Sequence, residues 1–168
     1  MAEPAALTNR TLTNRTLTNR DEKKESTMLA KDVMSRTVVT VRPHMPARAA
    51  AALLVANGFT SAPVVTAEGV VRGMVSEADL MRGQSLPDPD DLRPMPDHPA
   101  SEVMTAEPLT KRPTDDLADV VAAMLDNGIR SVPIVENGRL VGIISRRDVL
   151  RCVARRELIA RGAGLVAG

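Results

Sequence analysis

Apolar and polar positions along this chain fall into two blocks that read alike. From 37 to 41 the run Thr-Val-Val-Thr-Val is β-branched throughout and stops at Arg42-Pro43, which predicts a short strand, Thr37 to Val41. Ala47 to Ala56 reads as a helix closed by Asn57-Gly58, with Gly58 as the left-handed residue past its end. Ala62 to Val65 and Val70 to Val75 are apolar runs on either side of a turn at Gly69, hence two further strands, and a second helix is expected from Glu77. The second block gives sharper signals. Thr114 is the expected cap of a helix whose first turn holds Asp115 and Asp116, acids that suit the positive end of the dipole. Leu117, Val120, Val121, Met124 and Leu125 recur at helical spacing as its buried stripe, and Gly128 ends it. Val132 to Val135 and Leu140 to Ile144 are strands joined through Asn137-Gly138, the dipeptide that favours a type I′ hairpin.

The likeness extends to single residues at a spacing of about 70. Met34 matches Met104, Pro43 matches Pro113, Asn57-Gly58 matches Asn127-Gly128 and Pro63 matches Pro133; after one extra residue, Gly69, Gly73, Ser76 and Asp79 match Gly138, Gly142, Ser145 and Asp148. An internal repeat sets the architecture before any single motif is weighed. The expectation is an α/β (α+β) fold, two β-α-β-β-α units packed as a pseudo-twofold pair. The parts are a disordered polar tail with TLTNR repeats over 1–28, repeat 1 over 29–82, a Pro-rich connector over 83–100, repeat 2 over 101–155, and a helix end with a flexible tail over 156–168. Met28 stands where the folded part is expected to begin, which makes it a candidate translation start.

Composition narrows the classes. The chain has 168 residues, 43% of them hydrophobic, and a net charge of +1, so neither nucleic acid nor an anionic membrane meets a whole-molecule field. Its longest apolar run, Ala49 to Ala56, is too short to span a bilayer. The lone Cys152 forms no internal disulfide, which fits a reducing cytoplasm. Phe59 is the only aromatic residue, so a base-stacking platform for single strands is missing. Arg147, Arg151 and Arg155 make a basic stripe on the last helix; it reads as a solvated face, and nucleic-acid binding is not expected. His44, His98 and Cys152 show no metal-site spacing, and no nucleophile elbow, phosphate loop or paired catalytic acids occur, so the chain is not expected to be an enzyme.

The chemistry concentrates where the third strand of each copy meets its last helix: Ser76-Glu77-Ala78-Asp79 and Ser145-Arg146-Arg147-Asp148. Serine followed by aspartate three residues on is first a helix cap. At a helix start it can also hold a nucleotide, the hydroxyl bonding phosphate and the carboxylate taking the vicinal ribose hydroxyls. Small apolar strand residues would wall the base.

These spaced features, twice over, resemble the tandem CBS-domain pair, or Bateman module, across roughly Leu29 to Arg151. The resemblance implies two units packed sheet to sheet, commonly as a disc-shaped homodimer. It also implies two clefts for regulatory adenosine ligands such as AMP, ADP, ATP or S-adenosylmethionine, with no obligatory cofactor. Carried over residue by residue, Ser76 and Asp79 serve one cleft and Ser145 and Asp148 the other. First-strand residues Val39 to Val41 (Thr40 among them) and Leu109 to Lys111 (with Thr110) line the base, helped by Ala62-Pro63 and Val132-Pro133. Arg146, Arg147 and Arg130 rank the Ser145/Asp148 cleft as the better phosphate site, since guanidinium favours phosphate and Glu77 repels it. The expected function is ligand sensing relayed to an unidentified protein partner by conformational shift. The alternatives are a constitutive scaffold with vestigial clefts and a nucleic-acid-binding regulator resting on the terminal arginines.

Overall fold

The computed structural model describes residues 28–82 and 97–164, with side chains through 155. The expected polar tail, nearly all of the connector, and residues 165–168 lie outside the described residues. In chain order the elements are α1 (Ala30–Val33), α2 (Ala47–Asn57), β1 (Ser61–Val65), β2 (Val71–Ser76), α3 (Glu77–Arg82), α4 (Ala100–Val103), β3 (Thr105–Ala106), α5 (Leu117–Asp126), β4 (Ser131–Glu136), β5 (Arg139–Ser145) and α6 (Arg146–Gly164).

Each repeat centres on an antiparallel hairpin. Ser61 faces Ser76 across β1 and β2, and Ser131 faces Ser145 across β4 and β5, so the registers match residue for residue at that end. The turn chemistry behaves as the sequence predicts: Asn137 and Gly138 have φ of 50° and 76°, the two positive values a type I′ turn needs, and Gly58 sits at φ 64° past α2.

Three local expectations change. Thr37 to Val41 forms no strand; it is an extended segment tied at Val41 alone, whose N–H donates to Pro63 O while its carbonyl accepts from Val65 N–H. Thr114 caps nothing, because Arg112 to Asp115 closes a turn first (Asp115 N–H to Arg112 O, 3.1 Å) and α5 starts at Leu117, capped by Asp116 accepting from Ala118 N–H at 2.8 Å. Leu125 is not buried with Val120 and Met124 but 67% exposed.

The two units exchange their leading segments. Residues 28–36 pack on repeat 2: Leu117 N–H donates to Met28 O, Ala30 N–H to Asp115 O, and Ser35 and Ile143 exchange both backbone bonds. Residues 97–106 pack on repeat 1: Ala47 N–H donates to His98 O, Ala100 N–H to Met45 O, and β3 adds to the edge of β2 opposite Gly73 and Met74. Helix starts leave N–H groups without partners; here the first donors of α2 and α5 are satisfied from the other copy's leader. The cores follow. One gathers Val41, Leu54, Val64 and Val75 with Ala100 and Met104, the other Val120, Met124, Ile134 and Ile144 with Ala30 and Met34.

That exchange explains a repeated pair in the sequence. A Cβ on Gly73 would stand 2.4 Å from Met104 Sδ, and one on Gly142 would stand 2.6 Å from Met34 Sδ. Each methionine lies across the glycine of the other repeat, and the glycine is the only residue that admits it.

Candidate functional site

Both Ser-x-x-Asp segments fold into the same reciprocal cap. Asp79 Oδ2 accepts from the Ser76 N–H at 2.9 Å and from its hydroxyl at 2.6 Å, and Asp79 N–H returns a bond to Ser76 Oγ at 3.3 Å. Asp148 does the same with Ser145 at 2.8, 2.6 and 3.3 Å. In each copy the second carboxylate oxygen faces an arginine one turn on: Arg82 pairs with Asp79 Oδ1, and Arg151 Nη1 lies 3.2 Å from Asp148 Oδ1. The aspartates are held firmly, their side chains 8% and 11% exposed; the arginines are 74% and 62% exposed. A pair so open to water contributes about 0–1 kcal/mol. An incoming diol can therefore displace the guanidinium from Oδ1 at small cost while Oδ2 keeps the cap intact.

Around Asp79 the repeats leave a cleft of about 1010 Å³, at the upper end of the range for small-molecule sites. Repeat 1 contributes Ser76 to Asp79 and Arg82 to its wall; Glu107 to Leu109 and Asn127 to Ser131 come from repeat 2. Met74, Met81, Pro108, Leu109 and Ile129 are among its apolar lining. Ser61 and Ser131, equivalent positions of the two copies, join at 2.8 Å Oγ to Oγ on the wall, so the cleft reaches the pseudo-twofold contact.

The structure sorts the residues expected from sequence. Ser76, Asp79, Arg130 and Leu109 come together on this one cleft. Arg130 therefore stands with Asp79, not with Asp148 as its charge ranking had it, because it precedes β4 where that strand meets repeat 1. Arg146 is engaged elsewhere: its Nε donates to Ile129 O at 3.1 Å and Nη2 to Met124 O at 3.4 Å, closing the end of α5. Arg147 is exposed on α6. Ala62 and Val132, expected beside the base, are core residues at 1% and 0% exposure, because their strand positions point into the two hydrophobic clusters. Thr110 lines a separate polar groove with Lys111 and Arg112, and Thr40 is half-buried in the extended segment before Val41. Arg82, Glu107 and Asn127 were not singled out. Arg82 had a signal, since Ser-x-x-Asp-x-x-Arg recurs in both copies; Glu107 enters only through the exchanged segment.

Comparison with known proteins gives a consistent answer. The CBS domain family model matches residues 30–85 and again 100–155. The CBS domain-containing protein YhcV of Bacillus subtilis (strain 168) is 33% identical over 119 residues, covering 71% of this chain and 81% of that protein. The crystal structure of CBSX2 in complex with AMP superposes with a TM-score of 0.66 at 25% identity, covering 77% of this chain and 98% of the other. The CBS domain pair of protein MJ0100, in complex with 5′-methylthioadenosine and S-adenosyl-L-methionine, superposes with a TM-score of 0.65 at 22% identity, covering 77% and 98%.

Proposed function

The chain belongs to the CBS domain family, and from that premise we propose that it is a ligand-sensing regulatory module whose principal site is the Asp79 cleft, occupied by an adenosine-containing ligand. The observation that carries this reading is the cleft itself: about 1010 Å³ between the repeats, with a buried, fully oriented carboxylate on one wall. The ribose hydroxyls donate to Asp79 Oδ1 in place of Arg82. Adenine lies among Met74, Pro108, Leu109 and Ile129, and the 5′ substituent meets the charged part of the wall. AMP in the complex of CBSX2, and methylthioadenosine with S-adenosylmethionine in that of MJ0100, have adenosine in common, which supports the class of ligand.

Because each repeat supplies half of the wall, an occupant favours one relative placement of the two over others. A partner protein that recognises this placement reads the ligand as a shift in population. The working unit in this proposal is a cytoplasmic homodimer, with no obligatory cofactor and no catalytic step. Among the described residues no helix is long and apolar enough to cross a membrane.

Dye-based thermal melting with AMP, S-adenosylmethionine and guanine nucleotides as controls tests the reading on the wild type, Asp79→Ala and Asp148→Ala. A ligand at about a hundred times its Kd adds roughly 2.7 kcal/mol. The expected shift is confined to adenosine compounds, is lost in Asp79→Ala and survives in Asp148→Ala. A shift that survives in Asp79→Ala moves the site elsewhere, and no shift with any adenosine compound favours the constitutive scaffold.

A further inference from the structure

The Asp79 cleft carries an uneven set of charges. Five ionic side chains line it: Glu77, Asp79 and Glu107 against Arg82 and Arg130. Asp79 and Arg82 neutralise each other. The wall a ligand meets therefore bears one more carboxylate than guanidinium, whether or not its ribose displaces Arg82 from Asp79, and among the described residues neither Glu77 nor Glu107 is ion-paired.

Those carboxylates are peculiar to this side of the pair. The position of Glu77 is taken in the other copy by Arg146, and that of Glu107 by Thr37. Glu107 is also one of two non-glycine residues with positive φ among the described residues, at 47°, and the other, Asn137, is explained by its turn. Glu107 stands directly after β3 and before Pro108, its N–H donating to Arg72 O at 3.3 Å. Strain of this kind persists only where the surroundings impose it and gathers at ligand sites.

Resting on the function proposed above, we infer that the Asp79 cleft selects adenosine ligands whose 5′ substituent is net positive, such as a sulfonium joined to an amino-acid tail, and rejects polyphosphates. The tail's ammonium and sulfonium face Glu77 and Glu107, and its carboxylate faces Arg130. A triphosphate brings several negative charges to a wall whose three carboxylates already outnumber its two guanidiniums. Charge interactions at such a partly exposed wall act through an effective dielectric well below that of water and weaken with salt.

Isothermal titration at low salt with three probes tests this: 5′-methylthioadenosine (neutral), S-adenosylmethionine (cationic) and ATP (polyanionic). The wild type is expected to bind S-adenosylmethionine at least about tenfold more tightly than ATP, a difference of about 1.4 kcal/mol. In Glu77→Gln/Glu107→Gln the ratio falls towards unity, while the affinity for methylthioadenosine moves by less than about threefold. Raising salt from about 50 to about 500 mM narrows the wild-type ratio in the same direction. Should the glutamine pair fail to fold, Glu77→Gln/Glu107→Gly removes the same charges and suits the left-handed backbone. ATP binding as tightly as S-adenosylmethionine to the wild type, or a ratio unchanged in the folded variant, overturns the inference. Methylthioadenosine binding without charge discrimination overturns it alone, whereas failure of all three probes to bind overturns the adenosine reading with it.

Discussion

Substituting Gly73 by alanine puts a Cβ 2.4 Å from Met104 Sδ, 2.8 Å from its Cγ and 2.9 Å from the Thr105 carbonyl oxygen. Ordinary contact for such atoms begins near 3.4 Å, so the methionine must give by about 1 Å and β3 by about half that. Overpacking of this kind costs about 1–3 kcal/mol. Met104 is only half-buried, so Met104→Ala loses less than a full core methionine would, roughly 1–2 kcal/mol. In the double variant the alanine at 104 no longer meets the new Cβ, and only the carbonyl conflict persists. The double should therefore be less destabilised than the sum of the singles by about 1–2 kcal/mol, well beyond the roughly 0.3–0.5 kcal/mol scatter of independent sites. Urea denaturation followed by far-UV circular dichroism measures this, since the chain has no Trp or Tyr. The partner of Gly73 is decisive. Coupling of Gly73→Ala with Met34→Ala, the methionine of its own copy, and additivity with Met104→Ala would refute the exchanged arrangement. Gly142 should mirror the result with Met34, and more completely, because the three atoms nearest its Cβ all belong to the Met34 side chain.

Other outcomes follow from single contacts. Ser61→Ala should cost about 1 kcal/mol by leaving the Ser131 hydroxyl without its partner, and Ser61→Ala/Ser131→Ala should cost less than twice that, read by the same denaturation curves. Gly138→Ala meets no atom within 4 Å, so its loss of about 1 kcal/mol would be backbone strain alone; an unchanged midpoint would contradict the type I′ turn. Asp97 caps α2 through the Arg48 N–H at 3.1 Å and pairs with its guanidinium, which together hold its carboxyl below the ordinary aspartate range. A depressed folded pKa gives stability that is present above the unfolded value and lost as pH falls through the folded one. The gap in Tm between wild type and Asp97→Ala should thus be open near pH 7 and closed near pH 2; a gap that persists in acid would locate the effect outside the carboxylate charge.

Hairpins, helix ends and the repeat were legible in the sequence because each rests on neighbours within a few residues. Asn137-Gly138 demands its turn wherever it is placed, and Gly58 ends a helix by its own backbone. The exchange of leading segments was not legible, since Val33-Met34 and Val103-Met104 read the same whichever hairpin they join. Ala62 and Val132 were expected beside the base from the resemblance, and Arg130 was ranked with Asp148 by charge alone. In the fold, the strand faces bearing Ala62 and Val132 are spent on the cores, and Glu107 to Leu109 crosses over to wall the cleft of the other repeat. The Ser-x-x-Asp pairs were legible because a cap is local. The Asp116 cap was missed because a turn from Arg112 to Asp115 closes before the helix begins, and Thr114 falls inside it.

The exchange also bears on how the chain is made. Synthesis delivers β1 and β2 first, but β2 ends at Ser76 and the strand that covers its edge begins only at Thr105. At about 5–20 residues per second the ribosome needs on the order of seconds to span that gap. For that interval the newborn first unit presents an uncovered strand edge, the kind of surface that invites association between nascent chains. The second unit has no such wait, because its leader, residues 28–36, is already made when β5 emerges. Two halves alike in the finished fold are thus unlike in their exposure at birth, and the vulnerable one is the half that will carry the Asp79 cleft.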